Sequence, residues 1–146
     1  MLNEVDFPLT NSQISEFILD EGYTTYFKLQ QALSELLESG FIREESTHHR
    51  TFYHLTEDGA ETIHYFTNDI SPAIQHDIDE FLKEKHYELK NEMSVKADYF
   101  ENSNMEYSVR CQVIEQGLPL IDLTVTAPTE SEAATIANNW QKRNQE

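Results

Sequence analysis

The stretch FIREESTHHRTFYHLTEDG, residues 41–59, decides the fold of the first half of the chain. It contains two short runs rich in aromatic and β-branched residues, FIREE and TFYHL, and the polar residues STHHR separate them. This pattern predicts a β-hairpin. The next residues start a helix, with Thr56 as its N-cap and two acidic residues in the first turn, where they interact favourably with the helix dipole. The hairpin therefore leads directly into a helix.

Two amphipathic helices precede this hairpin. In PLTNSQISEFILDEG, Thr10 or Asn11 can cap the first helix, and Gly22 ends it. In YTTYFKLQQALSELLESG, leucines at helical spacing form one apolar face, and Gly40 ends the second helix. The joint around Gly22 is very short. A short joint between two amphipathic helices is typical of a helix-turn-helix.

The second half of the chain changes its periodicity. Ser71 and Pro72 begin a long helix with an interrupted apolar stripe. Apolar and polar residues then alternate in SVKADYFE, NMEYSVRCQVIEQG and LPLIDLTVTAP, which predicts a three-stranded antiparallel sheet. Thr129 and Glu132 form a capping box for a last helix that covers one face of this sheet. The fold class is therefore α+β, and the chain ends in a β-β-β-α unit.

The charge and composition exclude several classes of protein. The 146 residues include 10 basic and 27 acidic side chains, a formal net charge of −17. Such a field repels phosphate backbones and anionic membranes at long range. Apolar residues make up 38% of the chain and are spread along it, so we expect a globular protein. The absence of a long apolar run and of a signal-peptide pattern predicts a cytoplasmic protein with no membrane partner.

Residues 8–66 resemble a winged helix of the MarR and PadR kind. The resemblance rests on LQQALSELLESGFIRE, which is similar to the recognition helix and the turn after it, and on YHLTEDGAETI, which is similar to the motif that closes the wing. Over nearly the whole chain, DFPLTNSQI, YFKLQQALSEL and the β-β-β-α tail resemble a family of Gram-positive bacterial proteins known only as a domain of unknown function. This resemblance implies a dimeric transcriptional regulator with no established ligand and no catalytic residues.

The chain accordingly divides into a winged helix-turn-helix domain, residues 1–66, a connecting or dimerisation helix, residues 67–93, and the β-β-β-α unit, residues 94–146. The start of the first domain departs from the resemblance. Winged helices begin with an apolar helix that packs behind the other two, whereas only MLNEVDF precedes Pro8. We therefore expect this helix to be truncated or absent. The back of Leu33 and Leu36 should then be exposed or covered by a partner chain.

The second helix and the hairpin tip supply candidate DNA contacts. In a helix-turn-helix, exposed residues near the N-terminus of the second helix meet the bases, and Thr, Lys and Gln can hydrogen-bond to base edges and phosphates. The candidate DNA-binding residues are Thr24, Thr25, Lys28, Gln31, Arg43, His48, His49 and Arg50. We expect double-stranded DNA to be bound weakly and in a salt-dependent manner, because few cations are present to neutralise phosphates. A solvated polar helix face with ordinary surface histidines is the alternative interpretation.

The long helix offers a candidate dimerisation face. Its apolar stripe could pair with the same helix of a second subunit or pack on the chain's own C-terminal sheet. The residues concerned are Ile74, Ile78, Phe81 and Leu82. The alternative function is an acidic winged helix that binds a protein partner instead of DNA.

The sequence contains no pattern typical of a catalytic or metal-binding site. The sequence has no G-x-S-x-G motif, no phosphate-binding glycine loop and no Cys-His pairing of catalytic type, so it predicts neither an enzyme nor a cofactor. His48, His49 and His54 are close in sequence, but no carboxylate pair completes a known ligand spacing, and no metal site is predicted. Cys111, the only cysteine, is expected to be a small buried residue in a strand.

Overall fold

A computed structural model describes residues 1–48, 50–115 and 118–143. Within these ranges the chain forms five α-helices and two three-stranded antiparallel sheets, which confirms the α+β class. No helix in the same ranges combines the length and the apolar character that crossing a membrane requires.

The chain forms two compact units. Unit 1 comprises Met1–Ser46 and Arg50–Leu89, whereas unit 2 comprises Thr47–His49 and Lys90–Glu146. The boundary between the units thus falls within the long helix, and the tip of the first hairpin belongs to unit 2.

Unit 1 contains the first sheet and the first three helices. In chain order its elements are β1 (Leu9–Thr10), α1 (Asn11–Asp20), α2 (Tyr26–Glu38), β2 (Ile42–Ser46), β3 (Thr51–Leu55), α3 (Glu57–Phe66) and the larger part of α4 (Pro72–Ser94). The sheet has the order β1-β3-β2, so the predicted β2–β3 hairpin is confirmed and gains β1 as a third strand.

Local hydrogen bonds fix the helix ends where the sequence predicted them. Thr10 and Gln13 form a reciprocal capping box at the start of α1, with N···O distances of 3.1 and 2.9 Å. Thr56 caps α3 by accepting a hydrogen bond from the backbone N–H of Gly59 at 3.1 Å. Gly22 and Gly40 follow α1 and α2 with φ values of +69° and +73°. Glycine adopts this left-handed conformation without a steric penalty.

The core of unit 1 lies between the helices and the first sheet. Leu29 and Leu33 bring the apolar face of α2 into it. Leu82 on α4 belongs to the same core and is only 6% exposed, and Ile78 and Phe81 pack against it. Leu82 is therefore a core residue, and a dimerisation role for the stripe stays a prediction. The apolar surface of Leu82 is used inside unit 1, which leaves little of it for contact with a second subunit.

An apolar groove of about 320 Å³ runs along α2 in unit 1. Its walls include Ile18, Leu33, Leu36 and Ile63. Leu36 remains 39% exposed. Apolar surface therefore stays uncovered at Leu36, whereas Leu33 is only 5% exposed and belongs to the core.

Unit 2 contains the second sheet and the last helix. Its elements are β4 (Val95–Glu101), β5 (Tyr107–Glu115), β6 (Leu118–Ala127) and α5 (Glu130–Arg143), and the strand order is β4-β5-β6. Helix α5 lies mainly over β4 and β5. The fully buried Ala133 and Ala137 allow the helix to approach the sheet closely. Cys111 is buried beneath it, as expected, and this burial raises the pKa of its thiol.

Candidate nucleic-acid interface

The N-terminal turn of α2 is exposed and well defined. Thr25 is its N-cap, and its hydroxyl oxygen accepts a hydrogen bond from the backbone N–H of Lys28 at 3.4 Å. Thr25 and Lys28 are exposed, and Thr24 is half-buried. One helical turn further on, the exposed Gln31 donates to Glu35 at 3.1 Å. Of the four candidate DNA-binding residues in this region, three are therefore exposed and one is half-buried.

A polar network sets the orientation of α2 relative to α1. The side chains of Asn11 and Gln30 exchange two hydrogen bonds, at 2.8 and 3.1 Å. Asn11 also donates to the hydroxyl of Tyr53 at 3.1 Å. Because amide groups need specific donor–acceptor geometry, these bonds fix the rotation of α2 about its axis as well as its position. The face that carries Lys28 and Gln31 is thereby held outward.

The joint between α1 and α2 is anchored to α4. The Tyr23 hydroxyl donates a hydrogen bond to Asp77 at 2.5 Å, which raises the pKa of Tyr23 to about 12. A second contact joins Lys85 and Glu16 at 2.5 Å, and this hydrogen bond raises the pKa of Lys85. Lys85 is therefore already neutralised by a carboxylate of α1. These contacts hold α1 and the joint that leads into α2 against α4 within unit 1.

Sequence reasoning missed two exposed aromatic side chains in the same turn. Tyr26 is 60% exposed and Phe27 is 79% exposed. The helical period could have identified Phe27, since it lies two residues before the buried Leu29 and hence on another face. Tyr26 lies three residues before Leu29, so the period alone places it on the buried face. Its exposure arises because it is at the end of the helix, beyond the core.

The hairpin brings further candidates onto the first sheet. Arg43 is exposed on β2, directly opposite His54 on β3. His54 is itself paired with Glu45, at 3.2 Å. Arg50 precedes β3 and is half-buried. Cations and carboxylates thus alternate along this hairpin, which limits any positive potential there.

The hairpin tip has a role inside unit 2. The imidazole Nδ1 of His48 contacts the carboxylate of Asp98, and the backbone N–H of His48 donates to the same carboxylate at 3.3 Å. The imidazole also stacks on the ring of Tyr99, with centroids 4.0 Å apart. A carboxylate beside the tip opposes phosphate contact, so His48 is a weaker DNA candidate than its sequence position suggested. His49 lies outside the described residues.

Residues 24–55 form a nearly neutral stretch of the chain. They hold three basic side chains and four acidic ones, a net charge of −1. The remaining residues hold seven basic and twenty-three acidic side chains, a net charge of −16. The acidity that repels polyanions is therefore concentrated outside α2 and the hairpin. Among the described residues, no group of three or more His, Cys, Asp or Glu side chains could hold a metal ion.

A family model described as a domain of unknown function, DUF4364, matches residues 1–146. The chain belongs to the DUF4364 family. The match covers both units. No curated protein and no solved structure matches this DUF4364 chain. Its function must therefore be inferred from the surfaces described above.

Proposed function

We propose that this protein is a DNA-binding transcriptional regulator and that unit 1 is a winged helix-turn-helix. The topology supports the proposal: α1 and α2 are joined by residues 21–25, and the hairpin that follows lies beside β1 in the order β1-β3-β2. In a winged helix the second helix of the motif enters the major groove and the hairpin forms the wing. The observation that carries the proposal is the exposed first turn of α2, with Lys28 in a nearly neutral stretch of the chain.

The number of cations sets the strength expected for this interaction. Lys28, Arg43 and Arg50 are the basic residues of this region, so one subunit can neutralise about three phosphates. With a slope of about −0.9 per neutralised phosphate, a rise from about 50 to about 200 mM salt lowers the affinity of one subunit roughly fortyfold. The binding is thus weak at physiological salt unless base contacts add to it.

A salt-dependent binding assay tests the proposal. A labelled duplex of random sequence, about 30 base pairs long, is titrated with the chain at low and moderate salt, and fluorescence anisotropy reports binding. Lys28→Ala should weaken binding and reduce the salt slope by about one. Lys83→Ala is the matched control, because it removes the same charge from an exposed position on α4. Equal effects of the two substitutions, or no effect of Lys28→Ala, would contradict the assignment of this surface.

A second function, an acidic module that binds a protein partner, is favoured by Tyr26 and Phe27. Aromatic side chains are enriched in protein–protein interfaces. Two such side chains exposed side by side on α2, within a chain of net charge −17, suit a basic partner. A chain that binds no duplex at about 50 mM salt, where electrostatic attraction is strongest, would favour this second function.

A further inference from the structure

Strand β6 forms an edge of the second sheet with apolar side chains exposed along it. The register pairs Ile121, Leu123 and Val125 with Val113, Cys111 and Val109 of β5, so all six lie on the face that α5 covers. The β5 residues Val109 and Cys111 are buried, whereas Leu123 is 38% exposed and its two neighbours on β6 are exposed to a similar degree. Helix α5 therefore leaves the β6 side of this face open.

The opposite edge of the same sheet has a different character. Strand β4 carries Lys96, Asp98 and Glu101 within seven residues, and charged side chains are a usual protection against edge-to-edge association. Strand β6 has ten residues and one charged side chain, Asp122. Two hydrogen bonds from Arg110, at 3.0 and 2.8 Å, neutralise that carboxylate and lower its pKa. In a chain with 27 acidic residues, β6 is thus a long edge without net charge.

Features that hinder pairing with another strand lie at the N-terminal end of β6. Pro119 lacks a backbone N–H, and the register passes from Ile121 directly to Pro119, so Leu120 forms a bulge. Residues 121–127 continue the regular ladder with β5. Their outward N–H and C=O groups can pair with another strand.

We propose that β6 pairs with β6 of a second copy of this chain and extends the sheet to six strands. Two copies of one strand related by a two-fold axis run antiparallel, so the edge is complementary to itself. The apolar faces of the two copies must lie on the same side of the joined sheet. Because alternate residues of a strand lie on opposite faces, each residue must then pair with one whose number has the same parity, so the two numbers have an even sum. A two-fold axis at Thr124 meets this condition and pairs the whole regular stretch, residues 121–127.

This register also suits the individual side chains. Leu123 of each copy lies opposite Val125 of the other, which joins the uncovered apolar side chains of both subunits. Thr124 lies opposite its own copy, and Thr–Thr pairs across antiparallel strands are favourable. An axis at Asp122, by contrast, would set two carboxylates directly opposite each other. The charge pattern therefore favours the axis at Thr124.

The size of the contact sets the expected affinity. Seven paired residues span about 24 Å along the strand, and a sheet with its side chains is about 10 Å thick, so the contact is smaller than a standard interface. We expect a dissociation constant in the micromolar range. Higher salt should strengthen the dimer, because it screens the repulsion between two acidic subunits and the interface itself is uncharged. This inference does not depend on DNA binding.

Sedimentation velocity of the full chain, from about 5 to about 200 µM, tests the proposal. Thr124→Lys and Thr124→Asp each place like charges opposite each other at the two-fold axis and should weaken self-association roughly tenfold. Thr124 is exposed and lies opposite Arg110 of β5, so far-UV circular dichroism of both variants checks that the sheet is retained. An equimolar mixture of the two variants should recover the dimer, since opposite charges then meet at the axis. Leu123→Lys should abolish the dimer, and Phe100→Lys, at an exposed position on β4, is the control that should leave it intact.

A chain that stays monomeric over this whole concentration range would overturn the proposal. Dimers of unchanged strength in both Thr124 variants would overturn it as well. Failure of the mixture to recover the dimer would overturn the Thr124 register. If Leu123→Lys loses its far-UV circular dichroism signal, the two Thr124 variants and their mixture still decide the result.

Discussion

The first turn of α2 and the edge strand β6 are both exposed, yet their chemistry is opposite. The α2 surface offers Lys28 and hydrogen-bonding side chains from a nearly neutral stretch of the chain. The β6 surface offers aliphatic side chains and backbone groups, with its one carboxylate neutralised by Arg110. The first suits a charged, hydrated partner, and the second suits another strand. The difference teaches that DNA contact and self-association can be assigned to separate units and tested independently.

Salt distinguishes the two surfaces without any substitution. Raising the salt concentration should weaken duplex binding, because counterions released from the phosphates gain less entropy in concentrated salt. It should strengthen self-association, because it screens the repulsion between the acidic subunits. If both interactions weaken together with salt, the assignment of an uncharged interface to β6 is wrong.

The largest effect is expected from a substitution that destabilises unit 1, and with it the proposed DNA-binding surface. A Cβ at Gly59 would lie 2.0 Å from the carbonyl oxygen of Phe41 and 2.9 Å from Leu55 Cδ1. Gly59→Val should therefore cost more than about 4 kcal/mol of the free energy of unfolding, because the backbone of Phe41 cannot move aside easily. Urea denaturation followed by circular dichroism measures the loss. Gly22→Ala is the control: it has open space around its Cβ and should cost only about 1–2 kcal/mol, for its positive φ.

An intermediate effect is expected from the network that orients α2. Asn11→Ala removes the hydrogen bonds to Gln30 and Tyr53 and leaves partly buried polar groups without their partner. The free energy of unfolding should fall by about 2 kcal/mol. Duplex affinity should fall as well, although Asn11 is half-buried and belongs to α1. Gln31→Ala, which removes an exposed hydrogen bond on the same helix, should leave stability nearly unchanged; an equal loss in both variants would contradict the positioning role.

A smaller effect is expected at the pair that neutralises β6. The hydrogen bond from Arg110 lowers the pKa of Asp122, so its contribution to stability is present at neutral pH and is lost as the pH falls below about 3.9. In Asp122→Asn, the free energy of unfolding should no longer include this loss at acidic pH. Denaturation curves from neutral to acidic pH measure it. A variant with the same acid dependence as the original chain would show that the pair contributes nothing.

The smallest effect is expected at the joint between α1 and α2. The hydrogen bond to Asp77 raises the pKa of Tyr23 to about 12, so the bond stabilises the fold below about pH 10 and is lost as the pH rises through the raised value. Tyr23→Phe should lack this alkaline loss. The difference between the two stability curves above about pH 10 measures it, and superimposable curves would contradict the role of this bond.

Local signals account for the parts of the fold that the sequence predicted. Thr10, Thr56 and Gly22 act within a few residues of themselves, so their caps and turns follow from sequence alone. The alternation in β5 and β6 likewise identified the strands and the face turned to the helix. Strand β1 could not be predicted, because Leu9–Thr10 is too short to display a period and exists only through its pairing with β3.

The features that escaped prediction depend on residues far apart in sequence. The carboxylate beside His48 comes from Asp98, fifty residues later. Leu82 has the same helical spacing whether its stripe meets another subunit or the core of unit 1. The exposure of Leu123 depends on how far α5 extends across the sheet, which no local pattern encodes. For the same reason, the sequence placed the dimer contact on α4, whereas the structure directs our proposal to β6.

The division of DNA binding and self-association between the two units is tested by nuclear magnetic resonance. The backbone amide signals of the isotope-labelled chain are mapped during titration with duplex DNA. We expect the signals that shift to come from the first turn of α2, residues 24–31, and from Arg43 and Arg50 on the hairpin. The signals of β6 should respond to protein concentration and not to DNA. Shifts absent from residues 24–31, or concentrated in β6, would contradict the division of the two activities between the units.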